Sequence, residues 1–200
     1  MAKIVRESID RFFDYGIYLE TRTIHAGSHA VNEDTGESGI DAITSERLIK
    51  AIHVFNQTPE KPITVILNSP GGEWQHGIAM YDALRASPCH ITIEVIGQAS
   101  SMGSVILQAA ERRLVHFNSE IVIHDGYDGF FGACKDFEAR AEQSKYLRKR
   151  MYEIYAERSG RDISFWEKRC NHDYYLTAQE AIDLGLADGL MPQKVFNGTP

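Results

Sequence analysis

Residues 61–72 read Lys61-Pro-Ile-Thr-Val-Ile-Leu67-Asn-Ser-Pro-Gly-Gly72, a β-branched apolar run punctuated by Pro-Gly-Gly. A run of that length bounded by turn residues predicts a short buried strand. Helical spacing follows from Trp74 to Ala86, and His90-Ile-Thr-Ile-Glu-Val-Ile96 repeats the strand pattern. Gly97-Gln-Ala-Ser-Ser101 reads as a turn, with a helix beyond it through Ala110. Strands alternating with helices predict an α/β domain in which most strand connections cross over through a helix.

Upstream of this stretch, Ile17–Ile24 predicts one strand and a helix is expected to start near Thr44 or Ser45. Polar, turn-rich His25–Gly39 lies between them, and a loop of that length suggests an insertion over 25–40. Downstream, Arg113–Phe117 and Glu120–His124 read as two further strands. Residues 134–158 carry the longest helical pattern. Phe137, Ala141, Leu147, Met151, Ile154 and Tyr155 form its stripe, and Gly160 is placed to end it. Thr177-Ala-Gln-Glu180 has the form of a capping box, opening a short helix that Gly185 closes. With no internal repeat, residues 1–200 read as one domain preceded by an N-terminal segment over 1–16.

Composition narrows the function. The chain has 200 residues, 43% hydrophobic and 24% charged, as in a soluble globular protein. A net charge of −7, with 21 Lys and Arg in no long block, argues against a nucleic-acid surface, because phosphate backbones need clustered cations. No apolar stretch approaches the roughly 18 residues of a membrane span. The opening residues are interrupted by charge, so no secretory signal is expected and the expected address is the cytoplasm. Cys89, Cys134 and Cys170 form no CxxC pair, which speaks against a disulfide framework or a zinc ribbon. His25 and His29 have metal-ligand spacing but sit in a Gly/Ser loop, and nothing near Cys170 and His172 marks a lowered thiol pKa. Neither a metal nor a cofactor is expected.

Three strand ends carry potential chemistry, since α/β proteins place their sites there. After Asn68-Ser-Pro, Gly71 and Gly72 let a backbone approach closely and free N–H groups to donate. The Gly-Lys-Ser/Thr ending of a phosphate loop is absent. In Gly97-Gln-Ala-Ser-Ser-Met-Gly103 a serine stands at a strand-to-helix junction, where helix N–H groups favour developing negative charge. Spacing leaves open whether Ser100, Ser101 or Ser104 attacks, or whether one merely caps the helix. The third end is Ile121-Val-Ile-His124, and imidazole is the side chain suited to proton shuttling near neutral pH.

Together these segments resemble the proteolytic subunit of the Clp protease, the ClpP family. The matching text is Leu67-Asn-Ser-Pro-Gly-Gly72, Ile96-Gly-Gln-Ala-Ser-Ser-Met-Gly103, Ile121-Val-Ile-His124, His172-Asp-Tyr-Tyr-Leu-Thr-Ala-Gln-Glu-Ala181 and Gly185-Leu-Ala-Asp188. The resemblance runs from about Ile17 to Met191. It implies Ser101 as nucleophile, His124 as general base and Asp173 as the carboxylate that orients it. It also implies an oxyanion hole from the N–H groups of Gly72 and Met102, and no cofactor or metal. Substrate would lie along Gly71–Trp74 and past Tyr127, adding a strand. The implied fold is the ClpP/crotonase β–α superhelix with a protruding handle over 125–160, and the implied function is serine endopeptidase. Its substrates would be unfolded polypeptides, its assembly a homo-oligomeric ring (heptamer or double heptamer), and its partner an AAA+ unfoldase.

The chain also departs from the family pattern. The segment before Asp14 lacks the family's Pro- and Gly-containing hairpin, and the 25–40 loop reads as an addition. His172 replaces a common arginine, and Asp125-Gly126 replaces Gln-Pro. The alternatives are a catalytically silent ring or scaffold subunit, and a crotonase-like acyl-CoA protein, which the Ser101/His124/Asp173 set disfavours.

Overall fold

The structure, a computed structural model, describes residues 10, 12–27, 39–127, 129 and 131–193. Most of the expected insertion, and most of the N-terminal segment, lie outside the described residues. The elements in chain order are β1 (Ile17–Tyr18), β2 (Thr23–Gly27), α1 (Ala42–Phe55), β3 (Ile63–Ser69), α2 (Trp74–Arg85), β4 (Ile91–Ser100), α3 (Met102–Leu107), β5 (Arg112–Val115), β6 (Glu120–Ile123), α4 (Cys134–Ser159), α5 (Ile163–Cys170), β7 (Tyr174–Thr177), α6 (Ala178–Asp183) and β8 (Gly189–Leu190). The sheet order is β1-β2-β3-β4-β5-β8, with β6 against β4 and β7 against β6. Pairing from β2 through β5 to β8, and of β4 with β6, is parallel, while β1–β2 and β6–β7 are antiparallel. This is the mixed α/β class the alternation predicts. Ile63, Val65, Leu67, Ile91, Ile93 and Val95 are all fully buried, as a parallel sheet covered by helices requires.

β4 decides where the site sits. Leu67 pairs with Val95 and Ser69 with Ala99, so β4 advances four residues against two of β3. Gly97 has φ +85° within this irregularity, a conformation open to glycine and costly for other residues. Below it Thr92–Val95 pair with β5, and above it Gln98–Ser100 pair with β6. The expected turn at Gly97–Ser101 is therefore corrected to strand as far as Ser100.

One further expectation is revised. Ile17–Ile24 is a hairpin, with Ile17 opposite Ile24 and Arg22 at φ +54° in its turn. That backbone is held from afar, because the Arg22 guanidinium donates to Phe55 O (2.8 Å), Lys61 O (3.1 Å), Pro62 O (3.1 Å) and the Thr58 hydroxyl. The α4 stripe reaches the core only in its second half, where Met151, Ile154 and Tyr155 are buried. Residues 131–143 are all exposed, Phe137 and Ala141 included. Gly160, at φ +72°, ends α4 as expected. α5, which the sequence did not announce, buries Trp166 against Tyr155 with ring centroids 5.4 Å apart.

Candidate active site

Ser101 stands between β4 and α3 with φ +51° and ψ −122°. A non-glycine residue held in such backbone stores strain of order 1–3 kcal/mol, so its neighbours must fix it. Ser101 N–H donates to Val122 O at 2.8 Å, and its carbonyl accepts from Ser104 N–H at 3.0 Å and Ser104 Oγ at 2.6 Å. Support continues outward in a buried chain. Gln108 Nε2 donates to Ser104 O (3.0 Å), Arg113 Nη1 to Gln108 Oε1 (2.6 Å), and Arg113 Nη2 pairs with Asp188 Oδ1 (2.5 Å). Arg113 also reaches Gly185 O at 2.8 Å, so the Gly185–Asp188 text serves to brace the helix behind Ser101.

His124 follows β6 and Asp173 precedes β7. Because Ile123 pairs with Tyr174 in an antiparallel ladder, the two side chains meet, with His124 Nδ1 3.2 Å from Asp173 Oδ1. The His124 side chain is only 14% exposed. Two phenols close on the same carboxylate: Tyr127 Oη donates to Oδ1 and Tyr175 Oη to Oδ2, both at 3.4 Å. The negative Asp173 raises the Tyr175 phenol, which therefore stays a neutral donor. Tyr127 also sets its ring edge-on to His124, with centroids 5.4 Å apart. The sequence pointed to Tyr127 for substrate alone, and no local signal joined either tyrosine to Asp173.

Gly71 and Gly72 have φ of +111° and +140°. A Cβ on Gly71 would lie 2.6 Å from Ser101 Cβ, and one on Gly72 would lie 2.4 Å from Ile40 N and O. Ile40 N–H donates to Gly71 O (2.6 Å) and Glu73 N–H to Ile40 O (2.9 Å), consuming one edge of this segment. Gly71 N–H is taken by Ser69 Oγ at 3.1 Å. Among the described residues, no hydrogen bond consumes the N–H groups of Gly72 and Met102. A cleft of about 620 Å³ is lined by Gly72, Trp74, Ser101, Met102, His124 and Tyr127, with Asp173 behind the imidazole and Gly71 behind Ser101. Within it, among the described residues, no hydrogen bond joins Ser101 Oγ to His124.

The remaining candidates lie elsewhere. Cys170 is buried, its thiol pushed up to about 12 by burial and then by the nearby Asp125 charge. His172 is exposed, and His29 lies outside the described residues. No helix among the described residues is long and apolar enough to cross a membrane.

A mostly parallel sheet with helical crossovers, opening a cleft at the end of β4, is a ClpP-type α/β fold. The model of the Clp protease family matches residues 35–194, and the chain belongs to that family, whose kind is that of a serine peptidase.

Proposed function

We propose that the chain is a serine endopeptidase that hydrolyses peptide bonds of unfolded polypeptides inside a self-compartmentalised ring. The observation that carries this reading is the 3.2 Å contact between His124 Nδ1 and Asp173 Oδ1 in the cleft that Ser101 lines. Ser101 Oγ attacks the substrate carbonyl while His124 Nε2 takes its proton, later returning it to the leaving amine. Asp173 keeps the Nδ1–H tautomer and stabilises the imidazolium. The N–H groups of Gly72 and Met102 receive the oxyanion. Extended substrate runs past Gly71, Trp74 and Tyr127, while the 125–160 segment serves as the handle through which heptameric rings interlock. In this reading an AAA+ unfoldase supplies the polypeptide.

The test is fluorophosphonate labelling of the purified chain, wild type beside Ser101→Ala, with the adduct located by mass spectrometry. An adduct on Ser101 that is lost in His124→Ala supports the reading, and a folded, assembled protein that takes no label refutes it. One observation favours a second reading, a silent structural subunit: Ser101 Oγ and His124 are not hydrogen-bonded in the described structure. Catalytic hydrogen bonds of unliganded enzymes are often long and tighten only with substrate, so the peptidase reading stands first.

A further inference from the structure

We propose that Asp125 is a positioning residue for the His124 imidazole, an inference that rests on the serine-peptidase reading above. The ladder of β6 with β7 ends at Ile123 opposite Tyr174, so His124 already lies past the last paired residue. One residue beyond Asp125, Gly126 turns away at φ +79°, and among the described residues other than its chain neighbours no atom lies within 4 Å of where its Cβ would stand. Without a further anchor, the backbone carrying His124 is fixed on one side only.

Asp125 supplies that anchor with three groups. Its N–H donates to Cys170 O at 2.7 Å, at the end of α5 and three residues before Asp173. Tyr152 of α4 donates a short hydrogen bond to Oδ1. Arg148, one turn earlier on α4, pairs with Oδ2 at 3.7 Å. His124 and Asp125 therefore make successive contacts with one stretch of chain, His124 to Asp173 and Asp125 to Cys170, while Asp125 bolts both to α4. The anchoring groups are well sheltered: Tyr152 is 6% exposed and Cys170 fully buried. Burial and then the Asp125 hydrogen bond push the Tyr152 phenol up, so it remains a proton donor to the carboxylate.

A base held on one side drifts from its reacting atom, and displacement by about 1 Å can cost on the order of 10²-fold in rate. Asp125 acts through His124 and does not need to touch substrate. Asparagine at this position keeps an acceptor for Tyr152 and the N–H for Cys170, and loses only the long pair with Arg148.

The experiment compares the full-length assembled chain with Asp125→Ala, Tyr152→Phe and Asp125→Asn, using a fluorophosphonate at rising concentration. Asp125→Ala and Tyr152→Phe are expected to slow the saturating rate of Ser101 phosphonylation by about 10–100-fold. The half-saturating concentration is expected to stay within about twofold, since ground-state binding is untouched. Asp125→Asn is expected to recover most of the rate. A second readout needs no activity: the His124 Nδ1–H proton, followed by NMR, should be lost in Asp125→Ala and Tyr152→Phe and kept in Asp125→Asn. If the wild type takes no label yet the proton behaves this way, the peptidase reading fails and the positioning role holds. Retention of wild-type rate and of the Nδ1–H signal in Asp125→Ala and Tyr152→Phe would overturn the proposal. So would a rate loss in Asp125→Asn equal to that in Asp125→Ala.

Discussion

Ser104 Oγ and Tyr155 Oη lie 2.7 Å apart inside the protein, joining α3 to the long helix α4 at the level of Ser101. The single proton of Ser104 is already directed at Ser101 O, 2.6 Å away, so Tyr155 is the donor in this pair. That direction ranks two substitutions. Tyr155→Phe removes a donor and leaves Ser104 still bonded, a loss of about 0.5–1.5 kcal/mol. Ser104→Ala strands a buried phenol, a loss of about 1–3 kcal/mol. Urea unfolding of both variants and the double mutant checks this: Ser104→Ala should be the more harmful, and the two losses should not add. Additive losses would show that the two hydroxyls do not interact.

Gly72→Ala is expected to remove activity while the chain still folds. Its Cβ would stand 2.4 Å from Ile40 N and O, backbone atoms that cannot yield without moving the segment that offers the Gly72 N–H. Loss of one oxyanion donor typically lowers turnover by about 10²–10³-fold. Labelling rates beside circular dichroism test it, and a variant that labels at the wild-type rate would remove Gly72 from the oxyanion hole.

The Asp188–Arg113 pair gives a dependence on acid. Burial pushes the Asp188 carboxyl up, but hydrogen bonds from the Arg113 side chain and backbone outweigh it and hold the group below its ordinary value. A carboxyl depressed on folding stabilises fully above its unfolded pKa of about 3.9 and loses that contribution as pH falls through the folded value. Wild-type unfolding free energy should therefore fall below about pH 4 more steeply than that of Asp188→Asn. Parallel curves for the two proteins would contradict this.

Thiol reactivity should single out one cysteine. Cys134 is exposed at the start of α4, whereas Cys89 and Cys170 are buried. The Cys170 thiol, pushed up to about 12, is also protonated at neutral pH. A disulfide reagent should therefore titrate one thiol in the native protein and three in denaturant. Mass spectrometry should find the native adduct on Cys134, and modification of Cys170 without unfolding would contradict its burial at the end of α5.

Much of the fold was written locally. The Thr177–Glu180 capping box is formed at both hydrogen bonds, with Thr177 Oγ1 accepting from Glu180 N–H and Glu180 Oε2 from Thr177 N–H. The β3 run and the Gly160 stop are equally legible, because each depends on neighbours in sequence. What the sequence hid depends on distant partners. Gln98–Ser100 is strand because β6 lies beside it, which the glutamine, alanine and serine there do not advertise. Arg22 turns because four groups between Phe55 and Pro62 hold its guanidinium. The α4 stripe left open what covers it, since periodicity shows an apolar face and not its partner; the core takes only its second half. At the candidate site, family text is what points to Ser101, His124 and Asp173. The roles of Tyr175, Tyr152 and Arg148 around them were not visible there, because those contacts exist only in three dimensions.

The irregularity at Gly97 divides one strand into two mechanical lengths. Thr92–Val95 is clamped between β3 and β5, whereas Gln98–Ser100 answers to β6 and meets β3 only at Ala99. The two lengths are expected to open as separate cooperative units. Amide exchange at Ala99 and Ser100 should then follow exchange in β6 and β7, while Ile93 and Val95 exchange only when the whole molecule unfolds. The end of the strand beside Ser101 would then flex against a frame that stays shut.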